Sequence, residues 1–168
     1  MIVAIGGVSR SGKTRLTKLV KEILGDIDVF TICQDDYVFN ISDIPKIREL
    51  TDWECPASID FNTFIKAIQE AKKNYTHVIV EGFLVFQDSV LNKLYDKSIF
   101  IEINQEIFTS RRLRDTRWEN EPNWYIDYVW ESYLNHGRLP NDHNALMLDG
   151  TQIISEEQIL AYLNQDDS

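Results

Sequence analysis

Five short apolar runs rich in β-branched residues punctuate the chain: Ile2 to Ile5, Val29 to Cys33, Val78 to Val80, Ile99 to Ile103 and Ala145 to Leu148. Runs of this length without polar alternation suit strands covered on both faces, as in a parallel sheet. Between the runs the apolar period lengthens. Leu16, Leu19, Val20, Ile23 and Leu24 fall along one face of a helix, which Gly25 stops. Phe61, Phe64, Ile65, Ile68 and Ala71 mark a second helix. Ser155, ahead of Glu156, Glu157 and Gln158, caps a final one. Alternating strand and helix patterns imply right-handed βαβ units and an open sheet with helices on both sides. Ligands of such sheets gather at the carboxyl ends of the strands. The residues that follow each apolar run are therefore where chemistry is expected.

The first run leads straight into Gly7-Val8-Ser9-Arg10-Ser11-Gly12-Lys13-Thr14, a complete GxxxxGK[ST] pattern. The glycines let consecutive backbone N–H groups converge on phosphate oxygens. Gly7, Ser9, Ser11 and Gly12 would form the cradle. Lys13 would bridge the β- and γ-phosphates of ATP, and Thr14 would place its hydroxyl on Mg²⁺. The helix starting at Lys13 aims its positive end at the same anion. A glycine-rich turn before a helix can carry similar letters, but here a buried strand precedes the motif and an amphipathic helix follows it. A phosphate loop alone does not separate a kinase from a GTPase, a motor or a nucleotide-binding regulator. No [NT]KxD motif for reading guanine is present, which disfavours a GTPase.

The second run ends in Gln34-Asp35-Asp36-Tyr37. Phosphoryl transfer to an alcohol needs a carboxylate near the acceptor hydroxyl and a group that holds Mg²⁺. Asp35 could accept the hydroxyl proton, hold Mg²⁺ through water, or do both. A bare Asp-Asp pair also serves as a helix cap or turn. The third run ends in Glu81-Gly82, a strand-terminal acid suited to holding Mg²⁺ through water. Arg111, Arg112, Arg114 and Arg117 place four arginines in seven residues of an acidic chain. They read either as a lid that brings cations to phosphates or as a solvated helix face with ion pairs. Asp52-Trp53-Glu54 sets an aromatic face beside carboxylates, a combination suited to a ring and a ribose. Trp118, Trp124, Tyr125, Tyr128 and Trp130 form an aromatic stretch that serves either substrate or core. Cys33, inside a strand pattern, reads as inert core.

Composition narrows the class. The chain has 168 residues, the size of one domain, so residues 1–168 are expected to form a single unit with a lid near 105–125. A formal net charge of -10 repels a phosphate backbone and argues against nucleic acid as a partner. Two cysteines without CxxC spacing suggest neither zinc nor a disulfide framework, and a cytoplasmic location is expected. The apolar start is short and lacks a basic flank, so it reads as a strand rather than a signal peptide. No run reaches the length of a membrane span. A monomer or weak homodimer acting on a small molecule is expected.

Taken in order, the phosphate loop, Gln34-Asp35-Asp36-Tyr37, Asp52-Trp53-Glu54, Val80-Glu81-Gly82-Phe83-Leu84, the arginine cluster, Val129-Trp130 with Tyr133, and Leu148-Asp149-Gly150-Thr151 resemble the nicotinamide riboside kinases. These are a branch of the uridine kinase-like P-loop kinases, and the resemblance spans nearly the whole chain. It implies an α/β P-loop NTPase three-layer sandwich with a five-stranded parallel sheet and a helical lid. It implies transfer of the ATP γ-phosphate to the 5′-hydroxyl of nicotinamide riboside, giving the mononucleotide used in NAD synthesis. Asp35, Lys13 and Glu81 would be catalytic, with Thr14, Asp35 and Glu81 at Mg²⁺. Asp35, Asp36, Tyr37, Trp53, Glu54 and Arg114 would hold the nucleoside, and Arg112 and Arg117 the phosphates. Glu54 stands where the family commonly has Asp, and the segment from Asn40 to Leu50 is short. A uridine, cytidine or other small-alcohol kinase on the same scaffold, and a non-kinase ATP-binding regulator, are the alternatives.

Overall fold

In the computed structural model, which describes residues 1–25, 27–116 and 121–165, every apolar run is a strand. In chain order the elements are β1 (Ile2–Gly7), α1 (Lys13–Leu24), β2 (Val29–Cys33), β3 (Lys46–Ile47), β4 (Leu50–Thr51), α2 (Phe61–Asn74), β5 (His77–Gly82), α3 (Ser89–Asn92), β6 (Lys97–Glu102), α4 (Gln105–Leu113), α5 (Asn123–Ser132), β7 (Leu146–Asp149) and α6 (Glu156–Leu163). Five strands form one parallel sheet in the order β2-β5-β1-β6-β7. β1 is central, and all six of its residues are buried.

Side chains alternate between the sheet's two faces and so divide the core in two. Ile2, Ala4, Val78, Val80 and Phe100 meet α2, α4 and α5 through Phe64, Ile68, Phe108, Ile126 and Val129. Val3, Ile5, Ile79, Ile99 and Ile101 meet α1 and α6 through Leu16, Val20, Ile159 and Leu163. The result is the expected helix–sheet–helix sandwich.

Local signals close the helices. Asp60 accepts from the Thr63 N–H at 3.0 Å to start α2. Asn104 accepts from the Ile107 N–H at 2.9 Å to start α4. Ser155 caps α6 by accepting from the Gln158 N–H at 3.3 Å. The Gly25 N–H donates to the Glu22 carbonyl where α1 ends.

Register is what positions the site. Gly6 lies opposite Gly82 across the β1–β5 pair, and Cys33 lies opposite Glu81 across the β2–β5 pair. The chain therefore leaves β1, β2 and β5 at one level of one sheet edge. The phosphate loop, Asp35 and Glu81 emerge there side by side. Three features lie outside the periodic pattern. One is a two-stranded antiparallel hairpin, β3 with β4. Another is the one-turn α3. The third is a π-type turn, Tyr133–Gly137, that continues α5. Among the described residues no helix is long and apolar enough to cross a membrane.

Candidate active site

The phosphate loop is built from backbone. Gly7 has φ 143°, and a Cβ there would meet the Ile101 carbonyl oxygen at 2.5 Å, so no other residue fits without strain. Gly12 is the N-cap of α1 and makes no side-chain cap hydrogen bond. The first amides of α1 are thus left to an anion. Lys13 donates from Nζ to the Gly7 and Val8 carbonyls at 3.0 and 3.1 Å, folding its ammonium over the loop. Burial lowers its pKa, and the carboxylates of Asp35, Glu81 and Glu54 oppose that shift. The Ser11 hydroxyl is buried and lacks a hydrogen-bond partner among the described residues.

Behind the loop stand the acids. Gln34–Tyr37 forms one turn of 3₁₀ helix at the end of β2. Gln34 is buried, and its Oε1 accepts from the Leu84 N–H at 2.7 Å. A Cβ on Gly82 would collide with Gln34, so this glycine lets the turn and the end of β5 close together. Asp35 projects into the cavity from that brace. Thr14 Oγ1 lies 3.4 Å from Glu81 Oε2. Burial raises the Glu81 pKa, while Lys13 and the Thr14 hydroxyl lower it. A hydroxyl flanked by one or two carboxylates is an oxygen donor set that fits Mg²⁺, which keeps waters and shares phosphate oxygens. Among the described residues no group of three or more His, Cys, Asp or Glu is placed to hold a metal ion by itself.

The arginines divide their work. Arg112 is buried. It forms a two-point pair with Glu121, at 2.8 and 2.6 Å, and donates to Ser9 Oγ at 3.0 Å. Arg111 donates to the carbonyls of Arg10 at 3.0 Å and Gly150 at 2.8 Å, tying the phosphate loop to the turn after β7. Arg10 pairs with Asp115 at 3.2 Å. Arg114 is exposed at the end of α4 and does not border the cavity. Arg117 lies outside the described residues, as does Trp118.

These groups enclose a cavity of about 440 Å³. Ser9, Lys13, Thr14, Glu81 and Arg112 line one part, with Asp35, Trp53 and Glu54 beside Val38, Ile59, Phe83 and Leu84. Burial raises the Glu54 pKa to about 7; Arg112 draws it down and Asp35 pushes it further up. Asp36 is exposed and not part of the wall, and the Tyr37 ring turns instead to Phe64, 5.1 Å away. Cys33 is half-buried on the cavity wall rather than in the core, since it is the last residue of β2. Burial pushes its thiol up to about 11, which keeps it protonated. A second, more open depression of about 640 Å³ lies beyond β6 and β7, lined by Trp130, Tyr133, Arg138 and Asp149. Of the candidate residues only Trp130 borders it, and none of those assigned to phosphate, metal or nucleoside does.

Sequence reading missed Gln34 and Arg111 as braces. Their only signal was adjacency: a polar residue beside the acid pair, and the first arginine of the cluster. The aromatic stretch divides as well. Tyr125 is buried, Tyr128 bonds Asp52, and Trp130 packs on Phe108.

The strand order and the loop at the end of the central strand define a P-loop NTPase fold. No family model matches the chain. A uridine kinase of Chlamydia pneumoniae is 31% identical over 162 residues, covering 80% of this chain and 71% of that protein. Human nicotinamide riboside kinase 1 is 27% identical over 186 residues, covering 98% and 90%. Among solved structures, a sugar kinase from Janibacter superposes with a TM-score of 0.60 at 19% identity, covering 97% and 94%, which supports the fold. The chain belongs to the uridine kinase and nicotinamide riboside kinase-like superfamily of P-loop kinases.

Proposed function

We propose that this protein is an ATP-dependent nucleoside kinase whose acceptor is the 5′-hydroxyl of nicotinamide riboside. The observation that carries the reading is the single cavity in which Lys13, Thr14, Glu81 and Arg112 share walls with Asp35, Trp53 and Glu54. One set suits a triphosphate and the other a ribose with its ring. Asp35 takes the proton of the acceptor hydroxyl as its oxygen attacks the γ-phosphorus, and the bond to the β-phosphate oxygen breaks. Lys13 and Arg112 stabilise the charge that spreads over the phosphate oxygens. Thr14, Glu81 and Asp35 would hold Mg²⁺, which neutralises the phosphates when bound. Glu54 accepts from the ribose hydroxyls. By the family resemblance, Asp36, Tyr37 and Arg114 are proposed to contribute to nucleoside binding and Arg117 to phosphate binding.

The ring wall is apolar and has the Trp53 face with carboxylates nearby. That favours a ring read by its face and, in particular, a cationic one such as the pyridinium of nicotinamide riboside. The 31% identity with a uridine kinase makes uridine the second candidate. An ADP-release assay over a nucleoside panel separates the two. Nicotinamide riboside should stimulate turnover well above uridine. Equal or greater stimulation by uridine moves the acceptor assignment, and no stimulation by any nucleoside removes the kinase reading.

A further inference from the structure

We infer that helix α5 is a strut that sets the acceptor-binding loop, and that Asp52, Tyr128 and Ser132 are positioning residues for Trp53 and Glu54. The inference rests on the nucleoside kinase reading for what that loop holds. Residues 51–55 run from the end of β4 toward α2 through Thr51-Asp52-Trp53-Glu54-Cys55, and from Asp52 on the stretch is irregular. Irregular backbone ordinarily lies on the surface, where water satisfies it. Here all five consecutive carbonyls lie within reach of a hydroxyl or thiol donor. Tyr125 Oη donates to Thr51 at 3.5 Å, and Cys55 Sγ to Asp52 at 3.4 Å. The one Ser58 Oγ proton serves either the Cys55 carbonyl, at 2.7 Å, or that of Trp53, at 3.1 Å, and the Ser58 N–H donates to the Cys55 carbonyl at 3.0 Å. Ser132 Oγ donates to Glu54 at 2.6 Å.

The Asp52 side chain completes the frame. It is buried, accepts from Tyr128 Oη at 2.5 Å and accepts from the Glu54 N–H at 3.2 Å. Its own N–H donates to the Pro45 carbonyl at 2.8 Å, which anchors the loop to the hairpin.

Three of these bonds come from α5, across 74 to 78 residues of chain. Tyr125, Tyr128 and Ser132 stand at i, i+3 and i+7, so one helix face delivers all three. Trp53 and Glu54 project into the cavity while the backbone that carries them is held from behind. A contact shell locked by a second set of hydrogen bonds is what holding a small acceptor in line requires. A fold that only needed to cover its core would not require an irregular stretch to be held from a distant helix in this way.

The same helix begins two residues after Glu121, the partner of Arg112. Yet among the described residues the side-chain hydrogen bonds of α5 reach the acceptor loop alone. Loosening them should therefore affect the nucleoside and spare ATP.

Steady-state kinetics of Tyr128→Phe, Ser132→Ala, Asp52→Ala and Asp52→Asn test this. The first three should each raise KM for the nucleoside about tenfold, the effect of one lost buried hydrogen bond, and leave KM for ATP within about twofold. Asp52→Asn keeps an acceptor for the Glu54 N–H and can donate to the Tyr128 oxygen, so it should recover most of the loss. The inference is overturned if the two KM values rise together, if neither moves, or if Asn serves no better than Ala. If the unaltered protein turns over no nucleoside, the functional reading fails. Hydrogen exchange in the free protein then decides the strut. Faster exchange at the Asp52 and Glu54 amides in Tyr128→Phe and Ser132→Ala supports it, and unchanged exchange overturns it.

Discussion

The phosphate loop and the acceptor loop sit on the same cavity but are made in opposite ways. Residues 7–14 are shaped by neighbours in sequence: a buried strand before, a helix after, and two glycines with positive φ within. Residues 51–55 are shaped by side chains of α5 more than seventy residues away. The phosphates that a kinase of this superfamily must hold are the same in every member, so backbone amides suffice. Acceptors differ among its members, and an irregular loop held by side chains can be retuned by single substitutions. The comparison predicts that damage on the phosphate side should be general, whereas damage on the acceptor side should be selective.

Lys13→Ala is the largest break. It removes the cation folded over the phosphate loop and should lower kcat/KM by roughly 10³-fold for any acceptor, with ATP affinity falling too. Titration calorimetry with ATP beside steady-state kinetics measures both parts. Asp35→Asn sharpens the contrast. Turnover should drop about 10²- to 10³-fold while ATP binding stays near its original value, since only proton acceptance and a metal contact are lost. Persistent turnover would mean another group activates the acceptor.

Gly7→Ala probes the backbone alone. The new Cβ meets the Ile101 carbonyl at 2.5 Å in a backbone region that side chains rarely adopt. A stability loss of about 2–3 kcal/mol is expected from denaturant unfolding.

The mildest effect is on pH. The folded pKa of Glu54 is raised from 4.5 to about 7, chiefly by burial. The unfolded chain therefore releases this proton first. The stabilising contribution is complete below about 4.5 and is lost as pH rises through about 7. Glu54→Gln should remove that decline, which thermal melts between about pH 5 and about pH 8 will show. If the ionised carboxylate receives the ribose hydroxyls, kcat/KM for the nucleoside rises over the same interval. The variant should flatten that profile while the ATP profile is unaffected.

Legibility followed the same division. The apolar runs marked all five sheet strands, because strands buried on both faces leave uninterrupted β-branched segments. Caps such as Asp60, Asn104 and Ser155 act within three residues of themselves, so helix starts are local facts. The β3–β4 hairpin did not show, because two-residue strands carry no periodicity. Gln34 and Arg111 looked like members of a catalytic motif and a basic cluster, yet each braces one segment against another. Tyr37 reads as a site residue beside two acids, and its ring also packs on Phe64, a contact that no local pattern indicates.

From the chain alone came the sandwich class, the phosphate loop, and the acids that end β2 and β5, since these depend on neighbours a few residues apart. The tertiary structure decided which residues share a cavity. Parallel register set Cys33 opposite Glu81 and so delivered Asp35 beside the phosphate loop. Long-range hydrogen bonds set Trp53 and Glu54. Burial raised Glu54 toward 7, because desolvation depends on everything packed around a carboxyl group and not on the residues next to it in sequence.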